Sequence, residues 1–156
     1  MTIEVVPYSP ELAPHFERLN VEWIEAFFRV ETIDLDVLQH PQEKVIDAGG
    51  EILFALDGEA VLGCVALKHE GEGVFELTKM AVTPAAQGRG LGRILMNACI
   101  ERFEAREGTY LYLESHDSLT PALTLYESVG FRHTARPGGP SPYARANVYM
   151  VYSTPD

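Results

Sequence analysis

The stretch Glu76–Arg93, ELTKMAVTPAAQGRGLGR, holds the residue types and spacing best suited to chemistry. Its second half sets glycines at positions 88, 90 and 92, with Gln87 before them and Arg89 and Arg93 among and after them. Glycine lets backbone N–H groups approach an anion without a Cβ in the way. The apolar periodicity that starts at Leu91 predicts a helix. A helix start adds unpaired N–H groups and the positive end of the dipole. Such a loop is built to hold phosphate oxygens, and a pyrophosphate is its expected guest.

Three kinds of phosphate loop, and a plain tight strand-to-helix turn, compete for this pattern. A mononucleotide loop needs G-x-x-x-x-G-K-[ST], and no Lys-Ser/Thr follows here. A dinucleotide fingerprint needs G-x-G-x-x-G directly after a strand. Here TPAAQ intervenes and Arg93 stands where the third glycine belongs, although Glu114 lies at a suitable distance for a ribose-binding acid. The third kind is an acyl-CoA loop. Ala81-Val82-Thr83-Pro84 followed by Gln87-Gly88-Arg89-Gly90-Leu91-Gly92 resembles the acyl-CoA signature of the GNAT superfamily of N-acetyltransferases. That signature is [Q/R]-x-x-G-x-[G/A], preceded by x-V-x-P at a strand end. ALTLYESVGF, residues 122–131, is similar to the family's A-x-x-L-Y-x-x-x-G-F helix. The two motifs fall in the family's order, and the resemblance extends over nearly the whole chain.

The resemblance implies an acetyl-CoA cosubstrate and acetyl transfer to a primary amine of a small molecule or peptide by direct attack, and the scattered histidines, without ligand spacing, imply no metal. It places the pantetheine arm along the backbone of Met80, Ala81 and Val82, and the pyrophosphate on Gln87, Gly88, Arg89, Gly90, Leu91, Gly92 and Arg93. An attacking amine must shed a proton, the developing oxyanion needs a donor, and the leaving thiolate needs a proton. Tyr126 matches the family's sulfur-facing tyrosine, the general acid; from position alone a core tyrosine is equally consistent. Glu76 is the first candidate base, Glu114 the second and His116 a distant third. A salt bridge to a neighbouring strand is the plain alternative for Glu76. The contiguous Ser115-His116-Asp117 is not read as a triad, because triads assemble in space rather than in sequence. Leu119 departs from the family, where many members carry a cofactor-contacting Asn before the tyrosine helix. Glu31, Asp34, Tyr143 and Arg145 are candidates for the acceptor side, against a plain reading as solvated surface. The alternative function is a non-catalytic acyl-CoA-binding regulatory module.

These residues need a scaffold. Ile3–Val6 predicts a short strand and Ser9-Pro10 a helix start. Leu12, Phe16, Leu19, Trp23 and Phe27 then mark one helical face. Residues 29–40 are expected to form a loop leading into a short helical turn, with another turn at 42–47. EILFAL and AVLGCVALKH flank Asp57-Gly58-Glu59, a hairpin signal, and VFELTKMAV extends the meander. Strict alternation puts Glu76, Thr78, Met80 and Val82 on one side, and Phe75, Leu77, Lys79 and Ala81 on the other. Leu91, Leu95, Cys99 and Phe103, with Ile94 and Ala98 beside them, predict a helix. TYLYLES predicts the next strand, parallel to the one before the helix. Thr120-Pro121 opens a further helix, Gly130 closes it, and two final strands flank a Gly/Pro loop. The expected fold is a single mixed α/β domain over residues 1–156: a mostly antiparallel sheet with one parallel, splayed strand pair, flanked by helices.

Composition narrows the class. The chain has 156 residues, enough for one ordinary domain, with a formal net charge of −11. That charge argues against a nucleic-acid surface and agrees weakly with a cationic substrate. No apolar run is long enough to span a bilayer, no secretory signal is evident, and Cys64 and Cys99 read as buried free thiols. A cytoplasmic protein without membrane partners is expected, with a homodimer as an open possibility. The histidines lack ligand spacing.

Overall fold

The computed structural model describes residues 2–153. Antiparallel neighbours start the sheet. β1 (Glu4–Pro7) pairs antiparallel with β2 (Glu51–Asp57), which turns at Gly58 into β3 (Ala60–Gly71). β4 (Val74–Val82) pairs antiparallel with β3. Helix α3 (Leu91–Ala105) then crosses over to β5 (Tyr110–Ser115), parallel to β4. β6 (Phe131–His133) and β7 (Val148–Tyr152) complete the order β1-β2-β3-β4-β5-β7-β6, with β7 antiparallel to both its neighbours. This is the mixed sheet with one parallel pair that the sequence predicts. No helix among the described residues is long and apolar enough to cross a membrane.

Helices cover both faces. Leu91, Leu95, Cys99 and Phe103 of α3 pack with Leu53, Val65, Phe75, Leu77 and Leu111, and α4 (Thr120–Val129) leans on the same cluster. On the other face, α1 (Ala13–Phe27) and α2 (Thr32–Gln39) bury Phe16, Leu19, Val37 and Leu38 against Ile52, Phe54, Cys64 and Ala66. Fully burying one such side chain is worth about 1.5–3 kcal/mol, so the sheet is fixed from both sides.

Several expectations are corrected. Residues 32–39 form a full helix rather than a loop, because Glu31 and Asp34 build a reciprocal capping box around its first turn. Phe27 is 56% exposed and Ile94 37% exposed, so neither completes an inner face. Leu119, not Thr120, occupies the cap position of α4.

The correction that bears most on function lies in β4. Between Ala66↔Thr78 and Cys64↔Ala81, β4 spends one more residue than β3, which is a bulge. Lys79 sits in it with φ of 53°. The bulge flips the alternation, so Met80 and Val82 join Phe75 and Leu77 on the α3 face, while Ala81 joins the α1 and α2 side. Met80 therefore does not share a face with Glu76. Two contacts hold the bulge on its far side: the Cys64 thiol donates to the Lys79 carbonyl at 3.6 Å, and Asn20 Nδ2 of α1 donates to Cys64 Sγ at 3.3 Å.

β4 and β5 pair only at Val74↔Tyr110, Phe75↔Leu111 and Glu76↔Tyr112. β4 then runs on with β3 while β5 runs on with β7. The two strands part, and the gap between them is the site.

Candidate functional site

A groove of about 750 Å³ runs from this gap along the glycine loop, lined by Met80, Val82, Leu91, Pro121 and Leu125 among others. Gly88 and Gly90 have φ of 83° and 79°, and a Cβ built on either meets nothing within 4 Å. Their backbone is thus left-handed and open to the outside. The first internal bond of α3 is Ile94 N–H to the Gly90 carbonyl, so the preceding N–H groups lack partners within the helix. Gly92 serves packing instead: a Cβ there would lie 3.0 Å from Leu125 Cδ2 of α4. Arg93 donates to Ser128 Oγ at 2.8 Å, tying α3 to α4. Arg89 is exposed on the loop, and Gln87 folds back to donate to the Val82 carbonyl. An open left-handed loop, a helix start and an apolar wall fit a phosphate-bearing ligand with a long, mostly apolar arm.

A second, inner pocket of about 80 Å³ lies between the parted strands, lined by Glu76, Lys79, Glu114, His116, Tyr143 and Arg145 with apolar neighbours. Trp23, Met80, Leu119 and Tyr126 line both spaces and form the passage between them. Tyr126 is half-buried. Burial pushes its phenol up to about 12, eased slightly by a hydrogen bond with Ser115. It therefore keeps its proton at neutral pH. Leu119 is buried and contributes an apolar wall to the passage.

The candidate bases differ in their surroundings. Glu76 is only 4% exposed. Burial raises its carboxyl to about 7, against the pull of Lys79 and Lys68, with Glu114 and Glu70 pushing the same way as burial. Glu114 faces the same pocket but accepts a 2.7 Å bond from Arg136 Nε. Arg136 also donates to the carbonyls of Gly139 and Pro140, so Glu114 anchors the Gly/Pro loop. His116 Nδ1 accepts from the Ser118 backbone N–H at 3.0 Å, which puts its own proton on Nε2.

The four acceptor-side candidates are brought together, and they satisfy one another. Arg145 grips Asp34 through bonds of 2.7 and 2.8 Å and reaches Glu31 at 2.9 Å. The Ala144 N–H also donates to Glu31. Lys79 Nζ lies 3.2 Å from the fully buried Asp34 and donates to Tyr143 Oη at 3.1 Å. Burial would raise Asp34, but its Arg145 hydrogen bonds and the Lys79 charge outweigh that and hold it below the usual carboxylate range. The two acids are thus engaged with protein cations rather than turned to a ligand.

Lys79, Ser115, Trp23 and Arg136 were not among the residues predicted from sequence. Lys79 carried a readable signal. In strict alternation its ammonium would have shared a face with Phe75 and Leu77, and a charge on a core face implies a bulge. Among the described residues no cluster of His, Cys, Asp or Glu could hold a metal ion.

Comparison with known proteins agrees with this geometry. A family model described as the acetyltransferase (GNAT) family matches residues 16–131. An uncharacterized N-acetyltransferase of Schizosaccharomyces pombe is 32% identical over 130 residues, covering 80% of this chain and 79% of the relative. A mycothiol acetyltransferase of Acidothermus cellulolyticus is 32% identical over 63% of this chain, which spans only 34% of that enzyme. The ribosomal protein bS18-alanine N-acetyltransferase of Salmonella typhimurium is 46% identical over 35% of this chain and 37% of its own length. Two solved structures share the fold: a GNAT-family acetyltransferase from Staphylococcus aureus (TM-score 0.87, 17% identity, 97% of this chain and 98% of that one), and the PaiA N-acetyltransferase of Thermoplasma acidophilum in complex with coenzyme A (TM-score 0.76, 16% identity, 99% and 100%).

Proposed function

This chain belongs to the GNAT acetyltransferase family, and from that premise we propose that it moves an acetyl group from acetyl-CoA to a primary amine of a small molecule or peptide by direct attack. The observation that carries the reading is Tyr126, whose side chain lines both the groove along the glycine loop and the inner pocket. A thioester reaching in from the groove and an amine held in the pocket would meet at its hydroxyl.

In this reading the backbone of Gly88–Arg93 and the start of α3 bind the pyrophosphate, and the parted edge of β4 at Met80–Val82 binds the pantetheine arm. The ammonium of the acceptor gives one proton to Glu76. The freed nitrogen attacks the acetyl carbon, a C–N bond forms, and the C–S bond breaks. Tyr126 gives its proton to the departing sulfur and regains one from the attacking nitrogen, which sheds its second proton to become the amide, while Glu76 releases its proton to solvent. A β4 backbone N–H stabilises the oxygen that gains charge. Glu114, already held by Arg136, keeps the Gly/Pro loop in place. Glu31, Asp34 and Arg145 shape the acceptor wall as a self-compensated unit.

The test incubates the protein with acetyl-CoA and a panel of small-molecule amines and short peptides with free N-termini, and follows free thiol. Thiol release with one amine class supports the reading. Coenzyme A binding without release across the panel would replace it with a non-catalytic binding module.

A further inference from the structure

The bulge in β4 does something that a regular strand would not. Residues 76 and 79 are three apart, so in an unbroken strand they would face opposite sides. The extra residue puts both side chains on the α1 and α2 side, where they line the same inner pocket. A lysine has been turned into the pocket, buried to 8% exposure, beside the carboxyl proposed to take the proton.

Lys79 is held there tightly. Asp34 Oδ1 at 3.2 Å and Tyr143 Oη at 3.1 Å fix its ammonium, which also sits 4.5 Å above the Tyr143 ring. Asp34 is in turn clamped by Arg145. Burial draws the Lys79 amine down, and Asp34 is the largest opposing influence. The net pull on the amine is downward from its ordinary 10.5, and the Asp34 ion pair and the donation to Tyr143 are the contacts that favour the ammonium.

We infer that Lys79 is a positioning residue for Glu76: the bulge delivers its ammonium into the pocket that the buried Glu76 carboxyl lines, where the charge favours the carboxylate form against the burial that opposes it. The inference rests on the reading of Glu76 as the base. The other charges around Glu76 do not supply this. From β3, Lys68 helps while Glu70 opposes. From β5, Glu114 opposes, and Tyr112 is neutral at ordinary pH because burial raises its phenol. Tyr143, likewise raised by burial, is neutral, and Arg145 and Lys79 together balance Asp34 and Glu31, so removing Lys79 leaves that cluster with a net negative charge. Of the lysines acting on Glu76, Lys79 exerts the larger pull.

The experiment follows the Glu76 carboxyl carbon by ¹³C NMR through a pH titration of the protein alone, the signal being assigned by its loss in Glu76→Gln. Lys79→Met is expected to move the midpoint up by about one pH unit or more, which is about a tenfold change in the proton equilibrium. Lys79→Arg, which keeps the charge, leaves it in place. A midpoint unmoved in Lys79→Met overturns the inference. If Lys79→Met does not fold, Lys79→Gln, which keeps a donor toward Tyr143 and Asp34, takes its place with the same two outcomes. The pH profile of thiol release separates this from the reading beneath it. A carboxyl that shifts while the acid limb of the rate stays put leaves Lys79 acting on Glu76 but removes Glu76 as the base.

Discussion

Arg145 and Asp34, 111 residues apart in the chain, meet through two parallel hydrogen bonds of 2.7 and 2.8 Å. The pair ties the loop before β7 to the first turn of α2. Asp34 is fully buried, so removing its partner leaves a carboxylate with Lys79 as its remaining cation. Arg145→Ala is therefore expected to cost about 3 kcal/mol of unfolding free energy, read from urea denaturation. The sign of its pH dependence follows from Asp34, whose folded pKa is held below its ordinary 3.8. The stability this gives is present above that value and is lost as pH falls through the folded one. The difference between wild type and Arg145→Ala should shrink in acid; a pH-independent difference would contradict the pairing.

Glu76 gives the opposite dependence. Its carboxyl is raised from 4.5 to about 7, so the folded state holds a proton that the unfolded chain releases. The stabilising contribution is full below about 4.5 and is lost as pH rises through about 7. Glu76→Gln, which cannot ionise, should be more stable than wild type at alkaline pH by on the order of 2–3 kcal/mol. The two should match in mild acid. In turnover the same group predicts a rate that rises with pH through about 7 and a loss of that limb in Glu76→Gln. Equal melting temperatures for the two proteins across this whole range would show that the carboxyl titrates normally.

Much of this was legible in the sequence, and the exceptions have a common cause. The β2-β3-β4 meander, the parallel crossover to β5 and the glycine-spaced loop before α3 follow from local patterns: Asp57-Gly58 at a corner and step-of-four periodicity from Leu91. Lys79 and Asp34 did not, because each is defined by a partner distant in the chain. The bulge depends on how β4 counts against β3, and periodicity along β4 alone carries no register. Asp34 reads as acceptor-side because the family resemblance puts the acceptor between the N-terminal helices and the last strands, where an acid could hold a cationic amine. Its burial depends on Arg145 and Lys79, which only the folded chain brings to it. Residues 32–39 read as a loop because acids interrupt their apolar pattern, yet one of those acids closes the capping box.

Gly90 tests the phosphate loop without touching the core. Its φ of 79° is left-handed and its Cβ position is open, so Gly90→Ala strains the backbone rather than creating a clash. Left-handed backbone costs a non-glycine residue about 1–2 kcal/mol. If the loop relaxes toward a right-handed form, the N–H groups at the start of α3 turn away from the groove. Acetyl-CoA affinity by calorimetry should fall about tenfold, which is about 1.4 kcal/mol, with turnover at saturating acetyl-CoA largely kept. Unchanged affinity would remove this loop from the binding surface.

Tyr126 separates chemistry from binding. Its ring forms the wall between groove and pocket, and Tyr126→Phe keeps that wall while deleting the proton. Because burial holds the phenol up at about 12, the wild-type group is protonated throughout the neutral range. The loss in the variant should therefore be flat with pH, unlike the limb set by Glu76. General acid catalysis is worth about 10²-fold or more. kcat for thiol release is expected to fall by about that factor while KM for acetyl-CoA stays within about twofold. A thiol of lower pKa leaves without help, so an activated thioester donor should restore much of the variant's rate and little of the wild type's. Full turnover by Tyr126→Phe with acetyl-CoA itself would end the general-acid assignment and leave Tyr126 as a packing residue between the two spaces.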